Sequence, residues 1–210
     1  MEFSAKHVKL HIEEALKKAR EDALARGIPV ADDETLHFLL NVLSIAKPNR
    51  ILEIGTAVGL SAVAMAKACP NAKITTIEYE EDRYFEAKEN FQKFEVAERI
   101  TAHLGDAGEI LPMMSGEYDF IFLDGPKAQY EKYLPDLKRL LKVGGTLFSD
   151  DVLLYGWVDG REPTPPKRHM IVEKLRSYLK RISNDFDFIT SILEVGDGVA
   201  LSVLVHKEEE

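Results

Sequence analysis

A chain of 210 residues of which 45% are hydrophobic is long enough to bury the core of one α/β domain. Its formal net charge of −9 argues against indiscriminate binding to nucleic-acid phosphates, although a local basic patch can coexist with an acidic total. The single cysteine, Cys69, excludes an internal disulfide or a cysteine metal cluster and fits core packing in a reducing compartment. No apolar run reaches the roughly 20 residues of a membrane helix, and the N-terminus lacks the apolar centre of a signal peptide. We therefore expect one domain over residues 1–210, with no membrane association, in the cytoplasm.

Two helices are predicted before the first strand. The first spans residues 4 to about 26, where apolar residues recur at helical spacing until a glycine and a proline end the pattern. The second spans about 32–46, with Asp32 or Asp33 placed to cap it. This N-terminal helical extension, residues 1–47, could cap an active site, form a subunit interface or simply pack against the domain.

From residue 50 onward, strand and helix patterns alternate. Strands are expected at about 50–54, 73–78, 99–104, 118–123 and 144–149, with helices at about 60–69, 81–94, 107–115, 128–141 and 167–182. Repeated βαβ units imply a parallel sheet covered on both faces. Two final strands, 186–194 and 199–206, flank Val195-Gly-Asp-Gly198, a hairpin signal that predicts an antiparallel strand at or near the sheet edge. The predicted fold is an α/β sheet of seven strands.

A glycine turn joins the first predicted strand to its helix. The run from Glu53 to Gly59 brings bare backbone and a helix N-terminus against a ligand, which suits a carboxylate or a phosphate. The dinucleotide fingerprint Gly-x-Gly-x-x-Gly fails, because Ala57 and Leu60 stand at its second and third glycines. The pattern Glu-x-Gly-x-x-x-Gly instead resembles motif I of the Rossmann-like methyltransferases that use S-adenosyl-L-methionine (AdoMet). A turn that binds no ligand is the alternative. The residues at the ends of the following strands distinguish between the two.

Acidic residues follow the second and third predicted strands, and open parallel sheets bind ligands outside the carboxyl ends of their strands. Glu78, followed by Tyr79, lies about 25 residues after the glycine turn, where a carboxylate can accept two hydrogen bonds from ribose hydroxyls. A surface carboxylate at the start of the next helix is the alternative. Asp106, between Gly105 and Ala107, resembles the acid that accepts from the adenine amino group in AdoMet enzymes, and it can also cap a helix.

Three aspartates and a lysine follow the fourth and fifth predicted strands. The fourth ends in Asp124-Gly-Pro-Lys127 and the fifth in Asp150-Asp151, so adjacent strand ends bring these groups to one rim. Three carboxylates at close range repel one another unless a cation is bound. An oxygen-only cluster suits Mg²⁺, with Mn²⁺ or Ca²⁺ as substitutes. Helix capping explains any one of these aspartates but not all three.

In combination, these motifs resemble the metal-dependent O-methyltransferases of the catechol and caffeoyl-CoA type over roughly residues 28–205. The residues that carry the resemblance are Glu53, Gly55, Ser61, Glu78, Asp124, Lys127, Asp150 and Asp151. Within that group, the run 150–156, the Pro-Pro-Lys-Arg loop and the Gly-Asp-Gly turn are most similar to bacterial tRNA 5-hydroxyuridine methyltransferases. The family usually has Asn where this chain has Asp151, which leaves the identity of the metal open.

The resemblance implies a cofactor site, a metal site and a catalytic base. AdoMet would be bound by Val30, Glu53, Gly55, Thr56, Gly59, Ser61, Glu78, Tyr79, Gly105, Asp106, Ala107 and Asp124. The metal would be held by Asp124, Asp150 and Asp151, and would lower the pKa of the substrate hydroxyl while a second substrate oxygen fixes its direction. Lys127 would be the general base, with an ion pair to Asp124 or Asp150 as its alternative role.

The methyl acceptor is the part of the function on which the sequence is least informative. Tyr155 and Trp157 are placed to stack on a planar ring, or they are core aromatics. Lys167 and Arg168 lie in a proline-stiffened loop that could contact RNA phosphates or simply begin a helix. A flipped wobble uridine with a 5-hydroxyl beside its 4-carbonyl offers a metal two oxygens, as a catechol does. We therefore expect a homodimeric O-methyltransferase that acts on tRNA or on a small hydroxylated aromatic; a non-catalytic AdoMet-binding protein is a remoter alternative.

Overall fold

The computed structural model describes residues 10–207, which form one seven-stranded mixed sheet flanked by helices. The strands are β1 (Arg50–Ile54), β2 (Lys73–Glu78), β3 (Ile100–Leu104), β4 (Tyr118–Leu123), β5 (Leu141–Ser149), β6 (Phe188–Leu193) and β7 (Val199–Leu204). The helices are α1 (Glu14–Ala25), α2 (Asp33–Ala46), α3 (Leu60–Ala68), α4 (Glu81–Lys93), α5 (Ala107–Met113), α6 (Tyr130–Leu140) and α7 (His169–Ser183). Within the described part of the chain, no helix combines the length and apolar character needed to cross a bilayer.

The sheet has the strand order β3-β2-β1-β4-β5-β7-β6. Strands β1 to β5 pair in parallel, whereas β7 pairs antiparallel with both β5 and β6. The predicted fold of five parallel strands and a terminal hairpin is therefore confirmed. Because the chain moves outward from β1 in one direction and from β4 in the other, the order reverses between these two strands, and such a switch point opens a crevice at the strand ends.

Alternate residues of the central strands are buried in two separate cores. Ile51 and Phe120 face the core formed with α1, α2, α3 and α4, whereas Leu52 and Ile121 face the core formed with α5, α6 and α7. This alternation follows from the two-residue period of a strand, and burial on both faces explains why β1 and β4 are almost continuously apolar. Cys69 is buried in the first core, as its predicted packing role requires.

Several predicted element bounds need correction. Strand β5 begins at Leu141 and not at 144, because Leu141 already pairs with Tyr118 across a register shift in β4. The helices predicted at 128–141 and 167–182 each begin later, since a 3₁₀ turn precedes each of them, at Lys127–Gln129 and Pro166–Arg168. The first helix was predicted from residue 4, but residues 10–13 are not helical, and α1 begins only at Glu14 because the preceding residue, Glu13, has an extended backbone with ψ of 140°. The remaining helix and strand bounds agree within about three residues.

The two N-terminal helices bring the chain to the edge of the crevice. Helix α2 begins as predicted, with the Asp32 side chain accepting a hydrogen bond from the backbone N–H of Thr35 at 2.8 Å. Helix α1 begins at Glu14, and the predicted helical residues 4–9 lie outside the described part of the chain. The buried Arg20 of α1 donates to the carbonyl oxygen of Ala31 at 2.7 Å. This bond fixes the segment between the helices beside the crevice.

Candidate active site

A cavity of about 740 Å³ opens at the carboxyl ends of the parallel strands, where the strand order reverses. This volume is within the range of small-molecule and cofactor sites. The cavity wall contains the following predicted cofactor residues: Val30, Gly55, Glu78, Tyr79, Gly105, Asp106, Ala107 and Asp124. It also contains Lys127, Asp150, Asp151 and Tyr155, so the predicted catalytic, metal and acceptor groups open onto the same space.

The glycine turn after β1 passes against the end of β4. Gly55 has a left-handed φ of +98°, and a Cβ there would lie 2.7 Å from the carbonyl carbon of Asp124. Only glycine permits this approach, because any side chain would displace the backbone of the neighbouring strand end. Gly59 also has a positive φ, and a Cβ there would meet the Phe91 and Ala87 side chains of α4. The first glycine therefore shapes the cavity, whereas the second packs helix α3 against α4.

Glu53 lies beneath the glycine turn and is fully buried. Its carboxylate accepts hydrogen bonds from Ser61 Oγ at 2.6 Å and Thr76 Oγ1 at 2.5 Å, and Thr76 Oγ1 also bonds Thr56 Oγ1. Burial raises the pKa of Glu53 to about 8 although these hydrogen bonds favour the charged form. Glu53, Thr56, Gly59 and Ser61 thus lie behind the cavity wall and not on it, so their place is to support the turn.

The two acidic residues after β2 and β3 are held by backbone N–H groups. The Glu78 carboxylate accepts hydrogen bonds from the N–H groups of Ala57 at 2.7 Å and Glu80 at 2.8 Å. Asp106 caps α5 by accepting from the N–H of Gly108 at 2.6 Å, as predicted. Both carboxylates are therefore oriented before any ligand binds, and both open onto the cavity.

The aspartates at the ends of β4 and β5 meet in one cluster. Oxygen atoms of Asp124, Asp150 and Asp151 lie within 4.8 Å of one another. Burial raises the pKa of Asp150, and the negative charges of Asp124 and Asp151 raise it further. Burial also raises the pKa of Asp124, against the opposing effect of Lys127. An all-carboxylate donor set whose members destabilise one another's charge is suited to a hard divalent cation.

Lys127 forms ion pairs with two members of this cluster. Its Nζ lies 2.5 Å from Asp124 Oδ1 and 3.0 Å from Asp151 Oδ2. Burial by itself lowers the pKa of this ammonium, but the charges of Asp124 and the neighbouring aspartates outweigh burial and hold the pKa well above its usual value. The ion pair to Asp124 that the sequence left as an alternative is present, and its second partner is Asp151 and not Asp150.

Two residues that the sequence did not associate with the site contact the cluster. Thr35, at the start of α2, has its Oγ1 3.0 Å from Asp32 Oδ2 and 3.4 Å from Asp150 Oδ1. The Tyr130 hydroxyl lies 3.0 Å from the carbonyl oxygen of Leu123 and 3.1 Å from that of Asp150. Tyr130 therefore joins the ends of β4 and β5 through their backbone carbonyl oxygens. The cap pattern Asp32-x-x-Thr35 was a local signal for Thr35, but nothing local indicated its contact with Asp150.

The predicted acceptor residues divide into two groups. Tyr155 is 61% exposed on the cavity wall, and its ring centroid lies 4.9 Å from that of Trp157. Trp157 is half-buried and packs against the core formed with α5, α6 and α7. Lys167 and Arg168 are exposed on the 3₁₀ turn before α7 and do not contribute to the cavity wall. The structure therefore places only Tyr155 of the four in the cavity.

The strand order, the glycine turn and the acids at the strand ends define a Rossmann-like methyltransferase. The chain matches a family model described as O-methyltransferase over residues 1–205, and it belongs to that family. It is 30% identical over 201 residues to a caffeoyl-CoA O-methyltransferase of Populus kitakamiensis, which covers 90% of this chain and 85% of that protein. It is 28% identical to a catechol O-methyltransferase of Niastella koreensis, with 91% and 90% of the chains covered.

Solved structures agree with this assignment. The SAH-bound methyltransferase PaMTH1 of Podospora anserina has a TM-score of 0.85 and 27% identity, covering 92% of this chain and 88% of that one. SAH is the product that AdoMet leaves after methyl transfer. The protein is therefore an AdoMet-dependent O-methyltransferase of the caffeoyl-CoA and catechol type.

Proposed function

We propose that this O-methyltransferase needs a divalent metal, and that it methylates the 5-hydroxyl of 5-hydroxyuridine at the wobble position of tRNA. The observation that supports metal dependence most strongly is the cluster of Asp124, Asp150 and Asp151, whose oxygens lie within 4.8 Å of one another. Like charges this close together, with Asp150 buried among them, are costly unless a cation neutralises them. The donor set fits Mg²⁺ best, with Mn²⁺ or Ca²⁺ as substitutes.

The cofactor would bind across the ends of β1, β2 and β3. Glu78 would accept hydrogen bonds from the ribose hydroxyls, and Asp106 would accept from the adenine amino group. Both carboxylates lie on the cavity wall and are already oriented by backbone N–H groups. Gly55 leaves space for the cofactor beside Asp124, so that the methyl group would be presented toward the acidic cluster.

The residues of the cluster would prepare the acceptor oxygen. The metal, when bound by Asp124, Asp150 and Asp151, supplies Lewis-acid activation that lowers the pKa of a neighbouring hydroxyl. Lys127 Nζ lies within 3.0 Å of two of these carboxylates, so it would stand beside an acceptor hydroxyl at this site and could take its proton. For Lys127 to act as a base, the negative charge that now holds its proton must be neutralised by the cation.

Two features support an RNA acceptor. The exposed ring of Tyr155 stands on the cavity wall beside Asp151, where a base flipped out of a single-stranded loop could stack. Lys167 and Arg168 are exposed on the turn before α7, and α7 packs against the turn Lys127–Gln129 that carries the catalytic lysine. Phosphate contacts from Lys167 and Arg168 would orient an anticodon loop without reading its sequence.

A small catechol-like acceptor is the second candidate, and it also has specific support. Asp32 and Asp197 add two carboxylates to the cavity wall near the cluster, so the wall disfavours phosphate groups close to the metal site. The names of the two relatives described above refer to caffeoyl-CoA and to catechol. A catechol would present two neighbouring oxygens in the same way as 5-hydroxyuridine.

The experiment is methyl transfer from labelled AdoMet, with Mg²⁺ or with EDTA, to tRNA that carries 5-hydroxyuridine and in parallel to a simple catechol. We expect labelling of the tRNA that EDTA abolishes. The double variant Lys167→Ala/Arg168→Ala should weaken tRNA labelling and leave the catechol reaction unchanged. Labelling of the catechol alone would contradict the RNA acceptor, and labelling of either substrate in EDTA would contradict metal dependence.

We also propose that the enzyme is a homodimer, as its resemblance to the metal-dependent O-methyltransferases implies. Size-exclusion chromatography with light scattering would test this directly. The mass expected for a dimer is twice the 23.7 kDa of one chain. A single monomeric species across the accessible concentration range would contradict it.

A further inference from the structure

The segment that follows Asp150 has an unusual backbone. Three residues that are not glycine have a positive φ within five positions: Asp151 at 55°, Leu154 at 44° and Tyr155 at 58°. Residues with a side chain rarely adopt such a conformation, so it persists only where surrounding contacts impose it. The segment carries a proposed metal ligand and the only proposed acceptor residue on the cavity wall. Whatever imposes its conformation therefore positions both groups.

The contacts that impose this conformation come from the turn Val195–Gly198 between β6 and β7. The carbonyl oxygen of Asp197 accepts hydrogen bonds from the N–H groups of Leu153 at 2.9 Å and Leu154 at 3.0 Å. The carbonyl oxygen of Gly198 accepts from the N–H of Val152 at 2.9 Å. Three consecutive N–H groups of the segment are thus bound to two consecutive carbonyls of one turn.

The turn and the segment are in such close contact that glycine is required. Gly198 has a φ of +92°, and a Cβ there would lie 2.6 Å from Leu153 Cβ and 2.8 Å from Leu153 N. Real Cβ atoms do not approach a backbone nitrogen this closely, so any larger residue must push the turn and the segment apart. On the opposite side, a Cβ on Gly196 would meet the side chains of Asp32 and Thr35. The turn is therefore packed tightly between the start of α2 and the segment that follows Asp150.

The Asp197 side chain extends this contact into the cavity. Its carboxylate lies on the cavity wall, where burial and the charges of Asp151 and Asp32 raise its pKa. Tyr155 lies on the same wall, so the residue whose carbonyl oxygen holds Leu153 and Leu154 shares the cavity with the proposed acceptor contact. No pattern in the sequence indicated this role, because Gly-Asp-Gly was sufficiently explained as a hairpin turn.

We infer that the turn Val195–Gly198 is a positioning element of the active site, which holds Asp151 as a metal ligand and Tyr155 as an acceptor contact through the backbone of residues 152–155. This inference rests on the proposed metal-dependent function. A turn with a purely structural role would affect only the stability of the protein. A positioning element must instead affect metal affinity while AdoMet affinity is preserved, because the cofactor residues lie on the other strands.

The test is a titration of the full chain with Mn²⁺, and separately with AdoMet, for wild type, Gly198→Ala and Gly144→Ala. Gly144 is the matched control, because its φ of +81° imposes the same backbone strain on alanine while nothing lies within 4 Å of its Cβ position. In Gly198→Ala we expect the Mn²⁺ dissociation constant to rise about tenfold or more, as when partners of metal ligands are lost. The AdoMet dissociation constant should change less than about twofold, and Gly144→Ala should match wild type in both.

A second pair of variants covers the case in which Gly198→Ala does not fold. In Leu153→Ala the side chain that would meet the new Cβ is shortened, while Leu153 Cβ and N remain in place to displace the turn. The double variant Leu153→Ala/Gly198→Ala should then lose Mn²⁺ affinity relative to Leu153→Ala alone. The inference is overturned if Gly198→Ala binds Mn²⁺ as tightly as wild type, or if the double variant binds it as tightly as Leu153→Ala. A wild-type protein that binds no Mn²⁺ would contradict the proposed metal dependence itself.

Discussion

The two halves of the cavity differ in how their carboxylates are held. In the proposed cofactor half, at the ends of β2 and β3, Glu78 and Asp106 accept hydrogen bonds from backbone N–H groups. In the proposed acceptor half, at the ends of β4 and β5, Asp124, Asp150 and Asp151 lie close together, and the Lys127 ammonium pairs with Asp124 and Asp151. The first half is oriented by the fold itself, whereas the second has an excess of negative charge.

This difference predicts that the two halves respond differently to metal. A carboxylate whose hydrogen bonds come from the backbone needs no further partner to stay in place. A group of buried like charges is stabilised only when a cation or protons neutralise it. AdoMet binding should therefore be nearly independent of a divalent cation, whereas methyl transfer should require one.

The largest effect is expected for Lys127→Ala, which removes the proposed base from the acceptor half. Turnover should fall about 10²- to 10⁴-fold, the usual contribution of a general base, while AdoMet affinity is preserved. Initial rates at saturating AdoMet and a separate AdoMet titration would measure the two effects. Asp124→Ala should in addition lose the response to metal.

A matched control for this change is Lys138→Ala. Lys138 is also a partly buried lysine paired with two aspartates, Asp185 at 2.9 Å and Asp187 at 2.6 Å, but it lies outside the cavity wall. Its removal should leave turnover close to that of wild type. A fully active Lys127→Ala enzyme would remove the base assignment.

The next effect is expected for Glu78→Gln, which disturbs only the cofactor half. A hydrogen bond to a charged group contributes about 1.5 to 3 kcal/mol, so AdoMet affinity should fall by about one to two orders of magnitude. The rate at saturating AdoMet and the metal affinity should change little. Calorimetric titrations of AdoMet and Mn²⁺ would separate these quantities. A loss of metal affinity equal to the loss of AdoMet affinity would contradict the division into two halves.

The affinity for metal should depend on pH. Because burial and mutual repulsion raise the pKa of Asp124 and Asp150, protons compete with the cation as the pH falls. Mn²⁺ affinity should therefore increase with pH, by up to about tenfold per pH unit for each proton released. Titrations at several pH values would measure this slope, with AdoMet affinity in EDTA as the comparison. A Mn²⁺ affinity that is constant with pH would show that these carboxylates are not its ligands.

The smallest effect on activity is expected for Glu53→Gln, because Glu53 supports the glycine turn from behind the cavity wall. Its pKa of about 8 in the folded protein is above the ordinary value of 4.5, so the folded state keeps a proton that the unfolded state loses. Stability contributed by this group is full below pH 4.5 and is lost as the pH rises toward 8, by up to about 1.4 kcal/mol per pH unit.

The Gln variant lacks this titration. Its free energy of unfolding should rise relative to wild type as the pH increases from 5 to about 8. Urea unfolding of both proteins at several pH values would measure the difference. If the difference between the two free energies of unfolding stays constant over this range, Glu53 is ionised in the folded protein.

The acidic cluster could be predicted because each of its residues follows a recognisable strand, and parallel strands end at one edge. The same rule located Glu78 and Asp106. The contact between Thr35 and Asp150 joins residues 115 positions apart, and it depends on how α2 packs against the sheet. No local pattern encodes that packing, so the contact was not predictable.

The start of β5 and the role of the terminal turn were missed for related reasons. Lys142-Val-Gly-Gly145 has the composition of a turn, yet pairing of Leu141 with Tyr118 draws it into the strand. Gly-Asp-Gly was correctly predicted as a hairpin turn. Its contact with Leu153 arises only when β7 inserts beside β5, and tertiary contacts of this kind are absent from a single sequence.

The most direct test of the two-part cavity is to measure AdoMet binding and methyl transfer on the same preparation, once in EDTA and once in Mg²⁺. AdoMet dissociation constants should agree within about twofold in the two buffers, because Glu78 and Asp106 are held by backbone N–H groups whether or not a cation is bound. Transfer to 5-hydroxyuridine tRNA or to a catechol should occur only with Mg²⁺. Transfer in EDTA at the rate seen with Mg²⁺ would contradict the account, because the acceptor half would then be complete without a cation.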